Sequence, residues 1–290
     1  MTRPGAGSIP TTTLALLSLL RPRQWIKNSF VLAPLVFARE FLVLPSVARA
    51  AAAFVLFCLA SSASYIVNDL HDVERDRAHP VKRHKRPLAA GTVPVRAAVL
   101  LLLLLYALLL LGFVFLPAVA VPILGYLALN LAYTYFLKDQ PVLDIFSIAA
   151  GFVLRVYAGA VALEVPLSHW MAITTLCLAL YLASIKRRQE LTSTGTDARR
   201  VLRDYSIALV DRYAEMSAVG ALIFYSLFVI STNTQLAITI PLVIFGLFRY
   251  WYVVESKEEG ESPTDVLLTD VPLALCILAW GGVCVYALMS

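Results

Sequence analysis

The chain has 290 residues, of which 60% are hydrophobic and only 15% are charged, with a mean hydropathy of +0.78. Soluble domains carry about 25% charged residues, so too few polar side chains are present to cover so many apolar helices in water. The net charge of +5 is divided among several loops, which is not the pattern of a nucleic-acid-binding surface. The composition therefore predicts an all-α, polytopic membrane protein.

Apolar runs of about 20 residues recur along the chain, and that is the length an α-helix needs to cross a bilayer core. We predict about nine spans in a single transmembrane catalytic domain over 14–290. A disordered cytoplasmic tail is expected over 1–13. The predicted spans are 24–44, 47–70, 94–116, 118–137, 142–163, 168–188, 207–231, 236–254 and 265–288.

Lysine and arginine are distributed unequally between the two ends of these spans. One end receives most of them, whereas the other receives only Arg39 and Arg49. The positive-inside rule places the basic end in the cytoplasm, with the N-terminus, and the C-terminus outside the cell membrane. The loops predicted to be cytoplasmic are 71–93, 138–141, 189–206 and 255–264.

A stripe of three aspartates directly follows the second predicted span. Asp69, Asp72 and Asp76 are spaced at i, i+3 and i+7, which places them on one face of a helix. Like charges at this spacing repel each other, so the stripe has no evident structural use. Mg²⁺ reverses this repulsion, because it binds carboxylate oxygens together with the phosphate oxygens of a substrate. The three aspartates are therefore predicted to be catalytic magnesium ligands.

A basic cluster follows the aspartates within the same loop, and it contains Lys82, Arg83, Lys85 and Arg86. The positive-inside rule alone predicts basic residues here, but it does not predict the acidic stripe beside them. Guanidinium and ammonium groups bind phosphate oxygens well. Together, the acidic and basic groups predict a diphosphate-binding site, in which Lys82 and Arg86 contact the substrate.

Two further sets of polar residues lie within apolar runs, where they are costly. Lys27 and Asn28 follow a Trp near the N-terminus, and they either anchor the helix at the interface or bind substrate. Arg155 lies deep in the fifth predicted span, on the same face as Asp144, which is eleven residues earlier. It either pairs with a carboxylate or faces substrate phosphates, and we favour the second interpretation.

The motif Asn68-Asp69-x-x-Asp72-x-x-x-Asp76, with the downstream Arg86-Pro-Leu, resembles the first aspartate motif of the UbiA-type membrane prenyltransferase superfamily. The resemblance covers essentially the whole chain, and it implies nine helices around a central cavity. It also implies substrate contacts from Asn68. The pair Tyr133 and Lys138 resembles the diphosphate-contacting Tyr/Lys motif of that superfamily, so both are expected to bind substrate.

The chain departs from that superfamily where a second aspartate-rich motif is expected after the sixth helix. It has Tyr181-Leu-Ala-Ser-Ile-Lys-Arg-Arg-Gln-Glu-Leu there, in which Lys186, Arg187 and Glu190 are the candidate substrate-binding residues. Cations cannot hold a second metal cluster, but they bind phosphate directly. The segment is similar to the polyprenyl-phosphate phosphoribosyltransferase branch. That branch implies transfer of 5-phosphoribose from phosphoribosyl diphosphate to a polyprenyl phosphate such as decaprenyl phosphate, in cell-wall arabinan precursor synthesis.

Two alternatives stay open at this point. The first is prenyl transfer to an aromatic or other small acceptor, which requires the acidic second motif that this chain lacks. The second is a transporter or lipid-binding scaffold, which explains the apolar helices but not an acidic stripe beside a basic cluster. The four cysteines lack disulfide or metal-ligand spacing, and a homo-oligomer is compatible with the sequence.

Overall fold

A computed structural model describes residues 12–78, 82–194, 200–257, 266 and 269–289. Within those ranges the chain is helical, without a β-strand, and eight helices are long and apolar enough to cross a membrane. These findings confirm the predicted all-α, multi-pass membrane architecture. The eight candidate spans are Leu44–His71, Val95–Phe115, Pro117–Tyr135, Leu143–Ala162, His169–Ser193, Ile207–Thr232, Thr234–Ser256 and Val271–Met289.

The α-helices are numbered here in chain order. They are α1 (Thr12–Leu19), α2 (Ala33–Phe37), α3 (Leu44–His71), α4 (Val73–Ala78), α5 (Lys82–Lys85), α6 (Val95–Phe115), α7 (Ala120–Tyr135), α8 (Leu143–Ala162), α9 (His169–Thr194), α10 (Ile207–Thr232), α11 (Ile240–Lys257) and α12 (Val271–Met289). Short 3₁₀ segments cover Pro22–Leu32, Pro117–Val119, Leu137–Asp139, Arg200–Asp204 and Thr234–Thr239.

The first predicted span, 24–44, differs from the structure. The chain instead forms the 3₁₀ segment Pro22–Leu32 and the short helix α2, which ends at Phe37. Pro34 lies in the first turn of α2, and Arg39 has a φ of 62° soon after it, so helical geometry is interrupted on both sides. The described residues therefore contain eight candidate spans, to which this shorter helical segment is added.

The predicted tail and last span are described only in part. Of the tail predicted over 1–13, residues 1–11 lie outside the described residues, and α1 begins at Thr12. The last span was predicted to begin at 265, which lies outside the described residues, and α12 covers Val271–Met289. The other predicted spans coincide with observed helices to within a few residues, because the length of an apolar run is enough to locate a membrane-spanning helix.

The helix α8 lies at the centre of the bundle, where it packs against α3, α7, α9 and the 3₁₀ segment Pro22–Leu32. Its buried residues include both charged groups, Asp144 and Arg155, together with many small side chains. In contrast, α6 exposes large side chains such as Leu100, Leu103 and Leu110. This contrast indicates that α6 faces lipid, whereas α8 forms the interior of the bundle.

Side-chain contacts bring alternate helix ends together at one end of the bundle. The C-terminal ends of α3, α7 and α9 come together there with the N-terminal ends of α6, α8 and α10. This end carries the aspartate stripe and the basic residues near 138 and 187. We call it the polar end, and it contains the residues considered below.

Prediction from the fold: Gly159→Ala should destabilise the bundle. A Cβ at position 159 would overlap the carbonyl oxygen of Val31 and lie 3.1 Å from Pro34 Cδ, so the 3₁₀ segment would have to move. Overpacking of this kind costs about 1–3 kcal/mol. Thermal unfolding in detergent should show a lower melting temperature. The matched control is Gly282→Ala in α12, where a Cβ meets nothing within 4 Å; equal shifts would contradict the packing argument.

Candidate active site

Asp69 and Asp76 converge on a single cation at the polar end. Arg86 donates through Nη1 to Asp69 Oδ1 at 2.8 Å and to Asp76 Oδ2 at 2.5 Å. Arg21 also donates to Asp69 Oδ1, at 2.6 Å. Both carboxylates are almost fully buried, with 2% and 3% of their surface exposed, so each needs this charge compensation.

Asp72 has a different cation as its partner. It lies between α3 and α4, and its Oδ1 accepts a hydrogen bond from Lys138 Nζ at 2.9 Å. Helical hydrogen bonding continues through this junction, because Asp76 N–H donates to the Asp72 carbonyl oxygen at 2.8 Å. The helical spacing of the stripe is thus confirmed, but Asp72 faces the end of α7 while Asp69 and Asp76 face Arg86.

The predicted three-aspartate metal cluster is therefore not assembled in this conformation. Among the residues that the structure describes, no three His, Cys, Asp or Glu side chains are close enough to hold a metal ion. The geometry does suit a cation bound by two carboxylates. Asp69 and Asp76 already bring one oxygen each to a single nitrogen of Arg86, and hard divalent cations prefer such oxygen ligands.

A groove of about 250 Å³ between α3, α6 and α7 has Thr134 in its lining, and Thr134 contacts Asn68, which lies beside the acidic stripe. Asn68 Oδ1 accepts a hydrogen bond from Thr134 Oγ1 at 3.5 Å. Ser64, Val67 and Asn130 line the groove along with Thr134. This arrangement brings Asn68 together with the end of α7, which also carries Lys138.

Arg155 is buried, and no carboxylate among the residues that the structure describes contacts it. Its Nε donates to Asn28 Oδ1 at 2.8 Å, Nη1 to the Gly151 carbonyl at 2.8 Å, and Nη2 to Tyr126 Oη at 3.2 Å. The guanidinium carbon also lies 4.7–5.2 Å from the ring centroids of Phe57, Tyr126 and Phe152. Hydrogen bonds and cation–π contacts therefore stabilise a charge that would otherwise be costly in the membrane.

This geometry removes one of the two interpretations of Arg155. Asp144 is on the same helix, but it pairs with Arg187, through an Oδ2–Nε distance of 3.3 Å. Asn28, which the sequence marks as either an interfacial or a binding residue, is completely buried and links Arg155 to Ser61 through hydrogen bonds. Both predicted residues thus belong to one polar cluster inside the bundle.

Arg187 lies at the end of α9, buried between two carboxylates. It forms ion pairs with Asp144 and with Glu190, the second within the same helix. Arg187 and Asp144 have no exposed surface, whereas the side chain of Glu190 is 20% exposed. The predicted cationic segment therefore reaches the polar end, but Arg187 is already paired with protein carboxylates there.

The remaining predicted side chains are half-buried or fall outside the described set. Lys27, Tyr133 and Lys186 are half-buried, and each already has an interaction partner. Lys82 is the first residue of α5, but its side chain lies outside the described residues.

The site residues that the sequence analysis did not identify are Arg21, Tyr126 and Tyr205. Only Arg21 had a sequence signal, in the Arg-Pro-Arg run before Trp25.

Residues 29–267 match the model of the UbiA prenyltransferase family. The chain belongs to this family. Among curated relatives, the decaprenyl-phosphate phosphoribosyltransferase of Mycolicibacterium smegmatis is 36% identical, and the alignment covers 97% of this chain and 94% of the relative. The protein of the same name from Corynebacterium glutamicum is 37% identical over 91% of this chain and 84% of the relative.

Solved UbiA structures confirm the fold. A UbiA homologue from Archaeoglobus fulgidus, bound to GPP and Mg²⁺, superposes with a TM-score of 0.70. The two sequences are 20% identical, and the superposition covers 95% of this chain and all of the homologue. At this identity the similarity establishes the arrangement of helices, and it confirms the UbiA fold expected from the aspartate motif.

Prediction from the Arg155 cluster: Arg155→Lys should destabilise the protein although the charge is kept. Lysine lacks the planar guanidinium that reaches Asn28, Gly151 and Tyr126 together, and leaving buried partners unsatisfied costs about 1–3 kcal/mol. Thermal unfolding in detergent measures the change. The control is Arg49→Lys, because the Arg49–Glu164 pair is exposed; a similar loss in both variants would argue against a special role for the buried cluster.

Proposed function

We propose that this protein is a membrane-embedded glycosyltransferase that moves 5-phosphoribose from phosphoribosyl diphosphate to a polyprenyl phosphate, such as decaprenyl phosphate, and releases diphosphate. The observation that carries the proposal is the pairing, at one polar end, of two convergent carboxylates with cations from several helices. The names of the curated relatives, at 36–37% identity over most of the chain, support the same reaction.

Mg²⁺ is the proposed cofactor, with Asp69, Asp76 and Asp72 as its ligands. The first two already converge on one cationic nitrogen, and the binding of Mg²⁺ in the Archaeoglobus fulgidus homologue supports divalent-metal use in this fold. When bound, the metal stabilises the negative charge that develops on a departing diphosphate. Metal binding in place of Arg86 would leave that guanidinium available to phosphate oxygens.

The leaving diphosphate is the group that the cations near the aspartates are suited to bind. Lys138 lies 2.9 Å from Asp72, and Arg86 lies between Asp69 and Asp76, so both cations are beside the proposed metal site. As the bond to C1 of the ribose breaks, negative charge grows on the diphosphate oxygens. Lys138 and Arg86 stabilise this charge, and we infer that Asn68, Tyr133 and Lys82 contact the same diphosphate.

The second phosphate-binding region is assigned to the cationic end of α9. Lys186 and Arg187 are proposed to bind the 5-phosphate of the donor or the phosphate of the acceptor, and Lys27 contributes from the N-terminal segment. Glu190 is proposed to contact the sugar. Since Arg187 is paired with Asp144 and Glu190 through Nε and Nη1, we infer that a phosphate oxygen binds at Nη2, which has no hydrogen-bond partner among the described residues.

The acceptor needs no general base. A phosphate monoester has a second pKa of about 6, so the polyprenyl phosphate is already a nucleophilic anion near neutral pH. The ribose passes through a state with oxocarbenium character, as in glycosyl transfer generally. A single displacement inverts C1 and yields a β-linked product. Arg155 and Asn28 form the buried polar cluster deeper in the bundle, and they are proposed to face substrate phosphate.

The proposed setting follows from the distribution of charge. The N-terminus and the polar end are proposed to lie on the cytoplasmic side of the cell membrane, because the basic residues cluster at that end. The water-soluble donor then enters the site from the cytoplasm. The prenyl tail of the acceptor lies in the bilayer among the lipid-facing helices. The product is proposed to serve cell-wall arabinan precursor synthesis, and the function is compatible with a monomer or a homo-oligomer.

A donor panel tests the proposed reaction. Purified protein is incubated with Mg²⁺, decaprenyl phosphate and labelled phosphoribosyl diphosphate, and the lipid is extracted. We expect label in the organic phase. A parallel incubation supplies a prenyl diphosphate and an aromatic acid. Prenylation of the acid without labelling of the lipid would refute phosphoribosyl transfer in favour of ordinary prenyl transfer, and inactivity with both pairs would favour a transporter or scaffold.

Prediction for the metal site: Asp72→Asn should lower turnover with any donor by a factor of roughly 10² or more, which in this assay is a loss of activity. The substitution removes a proposed metal ligand and the counter-charge of Lys138. The labelled-lipid assay measures it, together with the Mg²⁺ concentration needed for half-maximal activity. The control is Asp139→Asn, in the 3₁₀ segment Leu137–Asp139, which should stay close to wild type; equal losses would contradict a specific role for Asp72.

Prediction for donor selection: Lys186→Ala should weaken phosphoribosyl transfer, because a phosphate contact is lost at the end of α9. We expect the KM for phosphoribosyl diphosphate to rise roughly tenfold, the size of one charged hydrogen bond of about 1.5 kcal/mol. Steady-state kinetics with either substrate varied measures the effect. Unchanged kinetics would show that the cationic segment reflects membrane topology alone.

A further inference from the structure

The segment that joins α7 to α8 contains a backbone conformation that valine rarely adopts. Val142 has φ 66° and ψ −45°, and Leu143 N–H donates to the Pro141 carbonyl oxygen at 2.8 Å. Together these define a γ-turn of the positive-φ type, which is rare and strained. A β-branched residue at positive φ is an outlier, so the surrounding structure must hold this turn in place.

The hydroxyl group of Tyr205 holds the turn. It accepts a hydrogen bond from Val142 N–H at 2.7 Å and donates one to Asp144 Oδ1 at 2.7 Å. Tyr205 follows the 3₁₀ segment Arg200–Asp204, so it reaches the turn from the connection between α9 and α10. Burial, reinforced by the bond to Asp144, raises the pKa of Tyr205, so the phenol stays protonated and can donate at neutral pH.

On one side, the turn leads to the buried Asp144–Arg187 pair. Asp144 Oδ2 lies 3.3 Å from Arg187 Nε, and neither side chain has exposed surface. Arg187 Nη2 is also buried, and it has no hydrogen-bond partner among the residues that the structure describes. An unsatisfied donor of this kind on a fully buried guanidinium is costly, and it points to a ligand oxygen that completes the site.

On the other side, the turn leads to Lys138. The 3₁₀ segment Leu137–Asp139 directly precedes the turn, and Lys138 Nζ contacts Asp72 at 2.9 Å. The strained turn thus separates the two cations that the proposed function assigns to two different phosphate groups. A change in the turn alters the distance between those cations, because Lys138 and Asp144 are only six residues apart in the chain.

We propose that Tyr205 is a positioning residue, whose hydroxyl fixes the γ-turn at Val142 and so sets the spacing between Lys138 and Arg187 for the two phosphate groups of the donor. This inference rests on the proposed function, takes the 5-phosphate of the donor as the group that Arg187 binds, and adds a residue from outside the aspartate and cationic motifs. Tyr205 itself does not touch the reacting atoms. It acts through Val142 on one side and through Asp144 on the other.

Tyr205→Phe tests this role, because it removes the hydroxyl group and keeps the ring. We expect the KM for phosphoribosyl diphosphate to rise roughly three- to tenfold, the range expected for losing a hydrogen bond. The KM for decaprenyl phosphate should not change. The matched control is Tyr213→Phe in α10, because Tyr213 has no side-chain hydrogen bond among the described residues, and its KM should equal that of wild type.

Rescue by glycine separates positioning from packing. Glycine adopts positive φ without strain, and the Val142 side chain is 38% exposed, so its removal costs little packing. The double variant Tyr205→Phe/Val142→Gly should recover at least half of the lost donor affinity. If Tyr205→Phe does not fold, the double variant should fold and show a donor KM within about threefold of wild type.

Each outcome decides the proposal. A donor KM unchanged in Tyr205→Phe overturns it, and so does a loss in the single variant that Val142→Gly fails to restore. A rise in the KM values of both substrates to the same extent also overturns it, because that pattern indicates a general structural defect. If wild-type protein labels no lipid, the proposed function fails; if wild type is active and Tyr205→Phe is normal, only the positioning role fails.

Discussion

The compensation of buried charge at one end of an apolar bundle is the constraint on which the rest of this structure depends. A carboxylate cannot remain ionised and buried without a partner, and Asp69, Asp76 and Asp144 are all almost completely buried. Each is matched by a cation from another segment, Arg86 for the first two and Arg187 for the third. These pairs tie Arg86, which directly follows α5, to α3 and α4, and they tie α9 to α8. The same contacts therefore close the bundle and form the candidate site.

The sequence predicts the parts of the fold that depend on local composition. Membrane spans are identified by the length of their hydrophobic runs. The polar end follows from them, because in a chain that crosses the membrane repeatedly every second connection lies on the same side of the membrane. The first span, predicted over 24–44, is wrong in length, because hydropathy is insensitive to backbone conformation. Pro34 and the positive φ of Arg39 confine regular helix to five residues, Ala33–Phe37. A 3₁₀ segment precedes it and fits against Gly159, which has no Cβ to prevent the approach.

The partners of the site residues were much harder to predict. The cost of burying Arg155 can be read from its position in an apolar run, but its partner Asn28 is 127 residues away, and the nearer candidate Asp144 faces Arg187 instead. The spacing of the three aspartates correctly predicts helical geometry, yet it does not reveal that Asp72 faces Lys138. Tyr205 had no sequence signal, because a tyrosine beside an interface is ordinary. Its role depends on a backbone conformation at Val142 that only coordinates reveal.

The pairing pattern has a consequence for how such a site operates. Arg86, Lys138 and Arg187 each contact a carboxylate, so their capacity to bind phosphate is already partly used. Under the proposed function, a cation that binds Asp69 and Asp76 must compete with Arg86, and the guanidinium released is next to the phosphate group that the metal holds. Metal binding and donor binding are then linked, because each makes the other more favourable. The Asp144–Arg187 pair resists the same exchange more strongly, since both groups are fully buried. The Nη2 of Arg187, which has no hydrogen-bond partner among the described residues, is then the donor left for a phosphate oxygen.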